Sequence, residues 1–331
     1  MKTKTEGGKI MENKGLKELQ IGEEFAGYCI IRKKELKQKK NGDFFLKLEL
    51  GDRSGRLSGK IWQDAKEYYN GLKVGQVIKM RGTIQAYRGN KEIQIHRLRL
   101  VQETEEQIRN KLIPRSTRNV QSIKQEFLQH LESITDKYLR LLLQQIFKTD
   151  SDLEKFLSSP SGKLWHHNYL YGNLEHLVCL LDLTDTIAIH YPSIKKELLK
   201  TAIILRNLGN TMEFHTAGFI EYTTLGRLLG HSILSFQRLI HEIDSIPDFP
   251  KELKIQLFHL ILSQENQLEK TASVLPMTVE AIILSQLIQL DVLTNAVHRI
   301  IRNDLIPDSR WTKFNNVLQR FLYVPEDQEN K

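Results

Sequence analysis

The sequence contains few cysteines, few prolines and no long apolar run. Its two cysteines, Cys29 and Cys179, lie far apart and outside any CxxC or Cys/His spacing, which argues against a disulfide framework or a zinc ribbon. Two buried free thiols are expected instead. No apolar run approaches the roughly 18 residues of a membrane span, and no apolar segment follows the N-terminal lysines. A folded cytoplasmic protein without a membrane partner is therefore expected.

Positive charge is distributed unevenly along the chain. Residues 1–103 hold 23 Lys/Arg and 13 Asp/Glu, whereas residues 104–331 hold 25 basic and 27 acidic residues. The excess positive charge therefore belongs to the first segment. Concentrated basic charge predicts attraction to a polyanion, and nucleic acid is the commonest polyanion in the cytoplasm. The alternative is a solvated lysine-rich face that only aids solubility.

Residues 25–101 alternate with the period of β-strands and are interrupted by turn signals such as Asn41-Gly42. A short helical stretch, residues 63–72, follows the third strand. The predicted strands are residues 25–37, 43–52, 56–62, 75–87 and 91–101. Five strands with a helix between the third and the fourth are the order of an OB β-barrel.

After residue 103 the apolar residues recur at helical spacing. The sequence therefore predicts a multidomain β + α protein. Its predicted parts are a flexible N-terminus at 1–18, an OB-fold nucleic-acid-binding domain at 19–103, a helical connector at 104–160, an all-α domain at 161–322 and a polar tail at 323–331.

An OB barrel that binds single strands without sequence preference needs flat side chains for base stacking and cations for phosphates. The candidate stacking residues are Phe44, Trp62 and Tyr87. The candidate phosphate contacts are Lys47, Lys60, Arg88 and Lys91, together with Arg32, Lys33 and Lys34 from the basic run after the first strand. Core packing is the alternative for each aromatic residue, since Phe44 and Phe45 must point to opposite faces. Single-stranded RNA or DNA is the predicted partner.

Six blocks of sequence together resemble one known family. They are DFFLKLELGDRSGRLSGKIW, VIKMRGTIQAYRGNKEIQI, HHNYLYGNLEHLVCLL, EYTTLGRLLGHSIL, HLILSQEN and TVEAIILSQLIQLDVL. In this order they resemble the YhaM-type 3'-5' exoribonucleases of bacteria, which join an N-terminal OB domain to a C-terminal metal-dependent HD domain. The resemblance implies an HD-like all-α domain at residues 161–322 and a homo-oligomer.

The resemblance also implies where metal ligands should stand. HD enzymes hold divalent metal with a first histidine, a His-Asp pair and a later aspartate, and the metal generates the attacking hydroxide. The first histidine matches His176, but the His-Asp pair falls on Arg206 and Asn207. An arginine stays protonated and cannot be a ligand. A block with paired histidines in the family has Gln264 and Glu265 here.

The last helix differs from the family pattern in the same direction. The family's histidine and first aspartate fall on Ser285 and Ile288, which leaves Asp291 one turn further along. No metal is therefore expected, and Arg206 and Asn207 are degenerate catalytic positions. The remnant ligand positions are His176, His231, His259 and Asp291. Candidate phosphate contacts in the helical domain are His166, His167 and Arg206.

Three functions follow from these observations. The first is a non-catalytic protein that binds single-stranded nucleic acid, without a cofactor, and whose helical domain is a scaffold, an oligomerisation surface or a phosphate pocket. The second is an active 3'-5' exoribonuclease that uses Mn²⁺ or Mg²⁺. The third is a regulatory subunit of a catalytically intact relative, which sequence cannot separate from the first.

Overall fold

The computed structural model describes residues 14–87, 89–101, 108, 111–163, 165–216, 219–264 and 274–326. Contacts divide the chain into two compact units. One comprises Met1–Pro114 with Ala217–Phe219, and the other comprises Arg115–Thr216 with Ile220–Lys331. Each unit has its own cluster of buried apolar side chains.

The first unit is a closed five-stranded barrel with the strand order β1-β2-β3-β5-β4. Its elements are β1 (Glu24–Gln38), β2 (Phe44–Gly51), β3 (Arg56–Ile61), helix α1 (Ala65–Gly71), β4 (Val77–Tyr87) and β5 (Asn90–Leu100). Strands β3 and β5 are parallel, and the other neighbouring strands are antiparallel. The predicted OB barrel, with its helix after the third strand, is confirmed.

Alternation along the strands produces the barrel core. On β2 the side chains of Leu46, Leu48 and Leu50 are buried inside the barrel, so the residues between them point outward. The turn between β1 and β2 places Gly42 at a φ of 91°, a left-handed conformation that glycine adopts without a Cβ clash. The Asn-Gly turn therefore closes the hairpin that the sequence predicts.

The second unit is helical, as predicted. Its helices are α2 (Val120–Glu132), α3 (Lys137–Ile146), α4 (Asp150–Leu157), α5 (Gly172–His190), α6 (Lys196–Leu205), α7 (Asn210–Glu213), α8 (Thr224–Asp244), α9 (Lys251–Leu262) and α10 (Val279–Asp304). A two-stranded sheet, β6 (Phe214–His215) and β7 (Glu221–Tyr222), lies between α7 and α8.

Helix α5 lies at the centre of this unit, since side chains around much of its circumference are buried. Helices α2, α3 and α4 belong to the segment that the sequence analysis treats as a connector. Their side chains Ile123, Phe127, Leu142 and Phe156 are nevertheless buried in the same cluster as Leu177 of α5. These helices are therefore part of the helical unit rather than a separate spacer.

Two predicted ends also differ from the structure. Leu16, within the segment predicted to be a flexible N-terminus, is fully buried in the barrel core, and its N–H donates to Asp52 at 2.8 Å. Val324, within the predicted polar tail, is buried, and Tyr323 pairs with Trp311. Leu16 and Val324 are thus buried in the folded protein although each lies in a mostly polar stretch of sequence.

Among the described residues, helix α10 is long and apolar enough to cross a membrane by length and composition. Its side chains Leu284, Leu287 and Ile288 are buried in the core of the helical unit. The same composition is typical of a long core helix in a soluble protein.

Candidate nucleic-acid interface and a buried histidine cluster

One outward face of the barrel collects aromatic and basic side chains. The register places Lys47 on β2 directly opposite Lys60 on β3. Beside this pair, the rings of Phe45 and Trp62 lie 5.0 Å apart between centroids at an interplanar angle of 31°. Trp62 is 39% exposed. Flat rings next to cations on the face of strands 2 and 3 are what an OB fold uses to bind oligonucleotides.

The two adjacent phenylalanines point to opposite faces, and the structure decides which is which. Phe44 packs against the barrel core, with the Lys66 ammonium 4.3 Å from its ring centroid. Phe45 contacts Trp62 on the outer face. The stacking candidate of this pair is therefore Phe45, whereas the sequence analysis named Phe44. We call Phe45, Trp62 and Tyr87 the aromatic platform.

Tyr87 lies at the end of β4 and is 49% exposed. The ammonium of Lys60 lies 3.6 Å from its ring centroid and 5.7 Å from that of Trp62. The same ammonium donates to Glu92 at 2.8 Å, and the Lys60 side chain is only 9% exposed. The Lys60 ammonium thus lies between two rings of the aromatic platform and the carboxylate of Glu92, with which it forms an ion pair.

Three further basic candidates have partners within the barrel. The Lys34 ammonium donates to two main-chain carbonyls at the end of helix α1, at 2.6 and 2.7 Å. The Lys91 ammonium donates to the carbonyl of Leu19 at 2.7 Å. Arg32 lies 3.6 Å from a carboxylate oxygen of Glu49. These contacts indicate a structural role for each cation.

The remaining basic candidates differ in position. Lys33 is exposed and Lys47 is half-buried on the outer face. Arg88 lies outside the described residues. The Lys39 ammonium lies 5.0 Å from the ring centroid of Trp62, which adds a cation at the edge of the platform.

A second candidate site lies in the helical unit, between α5, the segment before it and α10. Asp291 accepts two hydrogen bonds on one oxygen, from His176 Nδ1 at 2.5 Å and from His167 Nε2 at 2.8 Å. One ligand atom from each of the three residues lies within 4.8 Å of the others. By distance alone, this triad could hold a metal ion.

Arg206 lies against the same triad. Its Nη1 donates to His176 Nε2 at 2.7 Å and its Nε donates to Gln264 Oε1 at 2.8 Å. Because a guanidinium has no acceptor, His176 Nε2 must accept, and Nδ1 must hold the proton that it donates to Asp291. Both ring nitrogens of His176 are therefore in use. A divalent cation at Nε2 would have to displace a guanidinium that is 5% exposed.

Asn207, at the position of the family's aspartate, is turned to a different partner. Its amide donates to Asn173 Oδ1 at 2.8 Å, and both side chains are buried. Asn173 in turn donates to a main-chain carbonyl at 3.0 Å. The amide pair is a neutral contact in which both buried side chains are hydrogen-bonded.

A chain of hydrogen bonds extends from His167 to a second carboxylate. His167 Nδ1 lies 3.0 Å from the Tyr169 hydroxyl, which donates to Glu175 at 2.5 Å. Ser116 donates to the other oxygen of Glu175. Burial lowers the pKa of His167, but its hydrogen bonds to Asp291 and Glu175 outweigh burial and raise that pKa. An imidazolium between two carboxylates accounts for this arrangement.

Burial and hydrogen bonds also shift the pKa values of His166, His176 and Asp291. Burial lowers the pKa of His166 to about 2 and that of His176 to about 4. Burial raises the pKa of Asp291. Hydrogen bonds from His167 and His176 lower the same pKa by more than burial raises it, so the pKa of Asp291 lies below its usual range. Within the described residues, Nδ1 of His166 has no hydrogen-bond partner.

Two predicted remnants lie apart from this cluster. His231 Nδ1 is 3.7 Å from a carboxylate oxygen of Glu213. His259 Nε2 accepts from the N–H of Met277 at 3.0 Å. Among the described residues, no hydrogen bond joins either histidine to Asp291.

Tyr169 and Glu175 were not predicted from the sequence as site residues. One signal could have found the carboxylate, because Glu175 and the adjacent His176 lie in the buried and mostly apolar first half of helix α5. Charged residues in such positions are rare unless they are paired. No comparable signal marks Tyr169, which lies before the helix.

The fold and these contacts define a two-unit protein, an OB barrel with a basic aromatic face followed by an all-α unit with a buried His-Asp cluster. Residues 30–101 match a family model described as OB-fold nucleic acid binding domain. A domain of replication protein A from Methanococcus maripaludis, the second OB-fold domain, aligns with a TM-score of 0.23 at 18% identity, covering 28% of this chain and 96% of that one.

Two curated relatives align along most of the chain. The 3'-5' exoribonuclease YhaM of Listeria monocytogenes serotype 4b (strain CLIP80459) is 26% identical over 293 residues, which are 88% of this chain and 92% of that protein. The 3'-5' exoribonuclease YhaM of Geobacillus sp. (strain WCH70) is 25% identical over 288 residues, 87% of this chain and 88% of that protein. The chain is thus similar to these two YhaM proteins along most of its length.

Proposed function

We propose that this protein binds single-stranded nucleic acid, RNA in the first place, through the aromatic platform of its barrel. We further propose that its helical unit is an HD-like domain without metal-dependent catalysis. The observation that supports the second statement most directly is the contact between Arg206 and His176 Nε2. The protein is then a cytoplasmic binding protein that needs no cofactor.

Binding is supported by charge and by geometry together. The excess of basic residues in the chain lies within residues 1–103, the segment that forms the barrel. Exposed faces of Trp62 and Tyr87 offer stacking surfaces, and each stacked base contributes about 1–3 kcal/mol. The Lys39 ammonium lies near the Trp62 ring, Lys47 lies opposite Lys60 on the same outer face, and Lys33 is exposed on the adjacent strand β1.

The loss of catalysis is supported by what the former ligand positions do. Arg206 places a permanent cation where a metal would need an electron pair, and like charges at this distance repel. The amide of Asn207 is directed to Asn173. The Arg206 guanidinium and the imidazolium of His167 are balanced by the carboxylates of Asp291 and Glu175. The cluster is thereby neutralised without an added ion.

An active 3'-5' exoribonuclease is the second candidate function. It is favoured by the triad His167, His176 and Asp291, whose ligand atoms lie within 4.8 Å of one another. Both curated relatives are 3'-5' exoribonucleases by name, which agrees with this function. In that case Mn²⁺ or Mg²⁺ would have to bind beside Arg206.

A degradation assay separates the two candidates. Purified protein is incubated with single-stranded RNA labelled at the 3' or the 5' end, with Mn²⁺, with Mg²⁺ or with chelator. We expect binding without shortening under all three conditions. Metal-dependent shortening from the 3' end that disappears in Asp291→Asn would establish the exoribonuclease. Shortening that persists in this variant would instead reveal a contaminating nuclease.

Binding itself is measured on the same preparation with labelled single-stranded RNA and DNA of equal length. We expect tighter binding to RNA and a steep salt dependence. The homo-oligomer that the family implies is a separate proposal. Light scattering of the purified chain tests it, and a monomeric mass at micromolar concentration would contradict it.

A further inference from the structure

Lys60 occupies a central position on the binding face of the barrel. On β3 it is paired with Lys47 of β2 on one side and with Gln94 of β5 on the other. Its side chain leaves the strand on the outer face, where a lysine would ordinarily extend into water. The side chain is nevertheless only 9% exposed.

The positive charge of Lys60 is paired with the carboxylate of Glu92 on the neighbouring strand β5. Its ammonium donates to Glu92 at 2.8 Å, and the Glu92 side chain is 14% exposed. A buried ammonium is tolerated when it is paired and hydrogen-bonded. Because the pair is neutral as a whole, Lys60 adds little to the attraction between the barrel and a phosphate backbone.

Two rings cover the ammonium from outside. Tyr87 lies with its centroid 3.6 Å away and Trp62 with its centroid 5.7 Å away, both within the range of a cation–π contact. The rings remain 49% and 39% exposed. One ion-paired ammonium therefore contacts two platform rings. Both rings keep exposed surface on which bases can stack.

We propose that Lys60 is a positioning residue, whose ion-paired ammonium supports Tyr87 and Trp62 as stacking surfaces and does not contact phosphate. This inference rests on the proposed function, since it assigns roles within the same binding face. It also separates two neighbouring lysines by role: Lys47, directly opposite, is half-buried on the outer face and available to the backbone of a bound strand.

The test uses the full-length double variant Lys60→Met, Glu92→Gln, which removes both members of the ion pair and leaves the net charge unchanged. Binding of a fluorescent single-stranded RNA is measured over a series of salt concentrations. We expect roughly tenfold weaker binding, within the range of one lost stacking contact, and an unchanged slope of log K against log salt. Adding Tyr87→Ala to this variant should weaken binding little further, since the ring has already lost its support.

The matched control is Lys47→Met. Loss of one phosphate contact on a single strand should lower the salt slope by about 0.7. If the Lys60 double variant instead lowers the slope by this amount, or binds as the wild type does, the inference is overturned. It is also overturned if Tyr87→Ala has its full effect in the double-variant background.

A second measurement needs no variant and covers the case in which the double variant fails to fold. Amine labelling of the wild-type protein, read by mass spectrometry, compares Lys47 with Lys60. We expect Lys60 to react slowly with and without RNA, and Lys47 to react readily and to be protected by RNA. Rapid labelling of Lys60 that RNA suppresses would contradict the inference.

Different results would contradict the proposed function and the role of Lys60. If wild-type protein binds no single-stranded nucleic acid, the proposed function is wrong. If it binds and Trp62→Ala weakens binding, but Lys60 behaves as a phosphate contact, only the role of Lys60 is wrong.

Discussion

The guanidinium of Arg206 donates to Nε2 of His176 at 2.7 Å, in the interior of the helical unit. The opposite nitrogen of this imidazole donates to Asp291 at 2.5 Å. One histidine thus connects a permanent cation with a carboxylate whose pKa is held below its usual range by its histidine partners. The two contacts join segments that lie far apart in the chain.

Removing the guanidinium should destabilise the helical unit. Arg206→Met leaves His176 Nε2 and Gln264 Oε1 without their donor, and we expect a loss of about 2 kcal/mol in the free energy of unfolding. Urea unfolding followed by circular dichroism measures it. Arg227→Met, at an exposed arginine of the same unit, should change stability by less than about 0.5 kcal/mol. Equal effects of the two variants would contradict a special role for Arg206.

Restoring the family's ligand pair should restore metal binding. The double variant Arg206→His, Asn207→Asp removes the guanidinium that contacts His176 and introduces the family's two ligand types at positions 206 and 207. We expect Mn²⁺ to raise its melting temperature, because a ligand at 100 times its Kd stabilises the folded state by about 2.7 kcal/mol. The wild-type protein and Arg206→Met should show no such shift. A comparable Mn²⁺ shift in the wild type would mean that the guanidinium does not block the site.

Loss of a platform ring should weaken nucleic-acid binding. Trp62→Ala removes a stacking surface and its contact with Phe45, and we expect a Kd for single-stranded RNA that is about tenfold higher. Fluorescence anisotropy gives this value. Trp311→Ala is the matched control, since Trp311 is a half-exposed tryptophan of the helical unit. The same loss in both variants would argue against a platform on the barrel.

Acid should destabilise the helical unit through its neutral histidines. The folded-state pKa of His166 is about 2 and that of His176 is about 4, against an ordinary 6.5. As pH falls from 6.5 to 5, these two histidines become protonated in the unfolded chain and stay neutral in the folded chain. Stability should therefore fall by about 1.4 kcal/mol per pH unit for each of the two histidines.

His167 acts in the opposite direction, because its pKa is raised. The contribution of His167 to the free energy of unfolding is complete below pH 6.5. This contribution is lost as pH rises through the folded-state pKa of His167. Urea unfolding between pH 5 and 6.5 therefore excludes the change due to His167, while burial also lowers the pKa of His259 and adds to the slope in the same direction. His166→Gln should reduce the slope of stability against pH by about 1.4 kcal/mol per pH unit, whereas His190→Gln, at an exposed histidine, should leave it unchanged. A flat profile in the wild type would show that the buried histidines are already protonated.

The sequence by itself determined the order of strands and helices. The period of two along residues such as Leu46, Leu48 and Leu50, and the Asn41-Gly42 turn, are local signals, and local backbone sterics are sufficient to produce them. The resemblance to the YhaM-type family likewise placed Arg206 and Asn207 at expected ligand positions, and an arginine has no acceptor with which to bind a metal.

Only the tertiary structure decided which groups meet. Alternation requires that Phe44 and Phe45 point apart, but packing in the closed barrel selects Phe45 for the outer face. Lys60 resembles any other strand lysine until the parallel pairing of β3 and β5 brings Glu92 beneath it. Asp291 and His176 are 115 residues apart, and their contact depends on how the helices pack. These contacts join residues that are distant in sequence, and a local sequence pattern does not predict them.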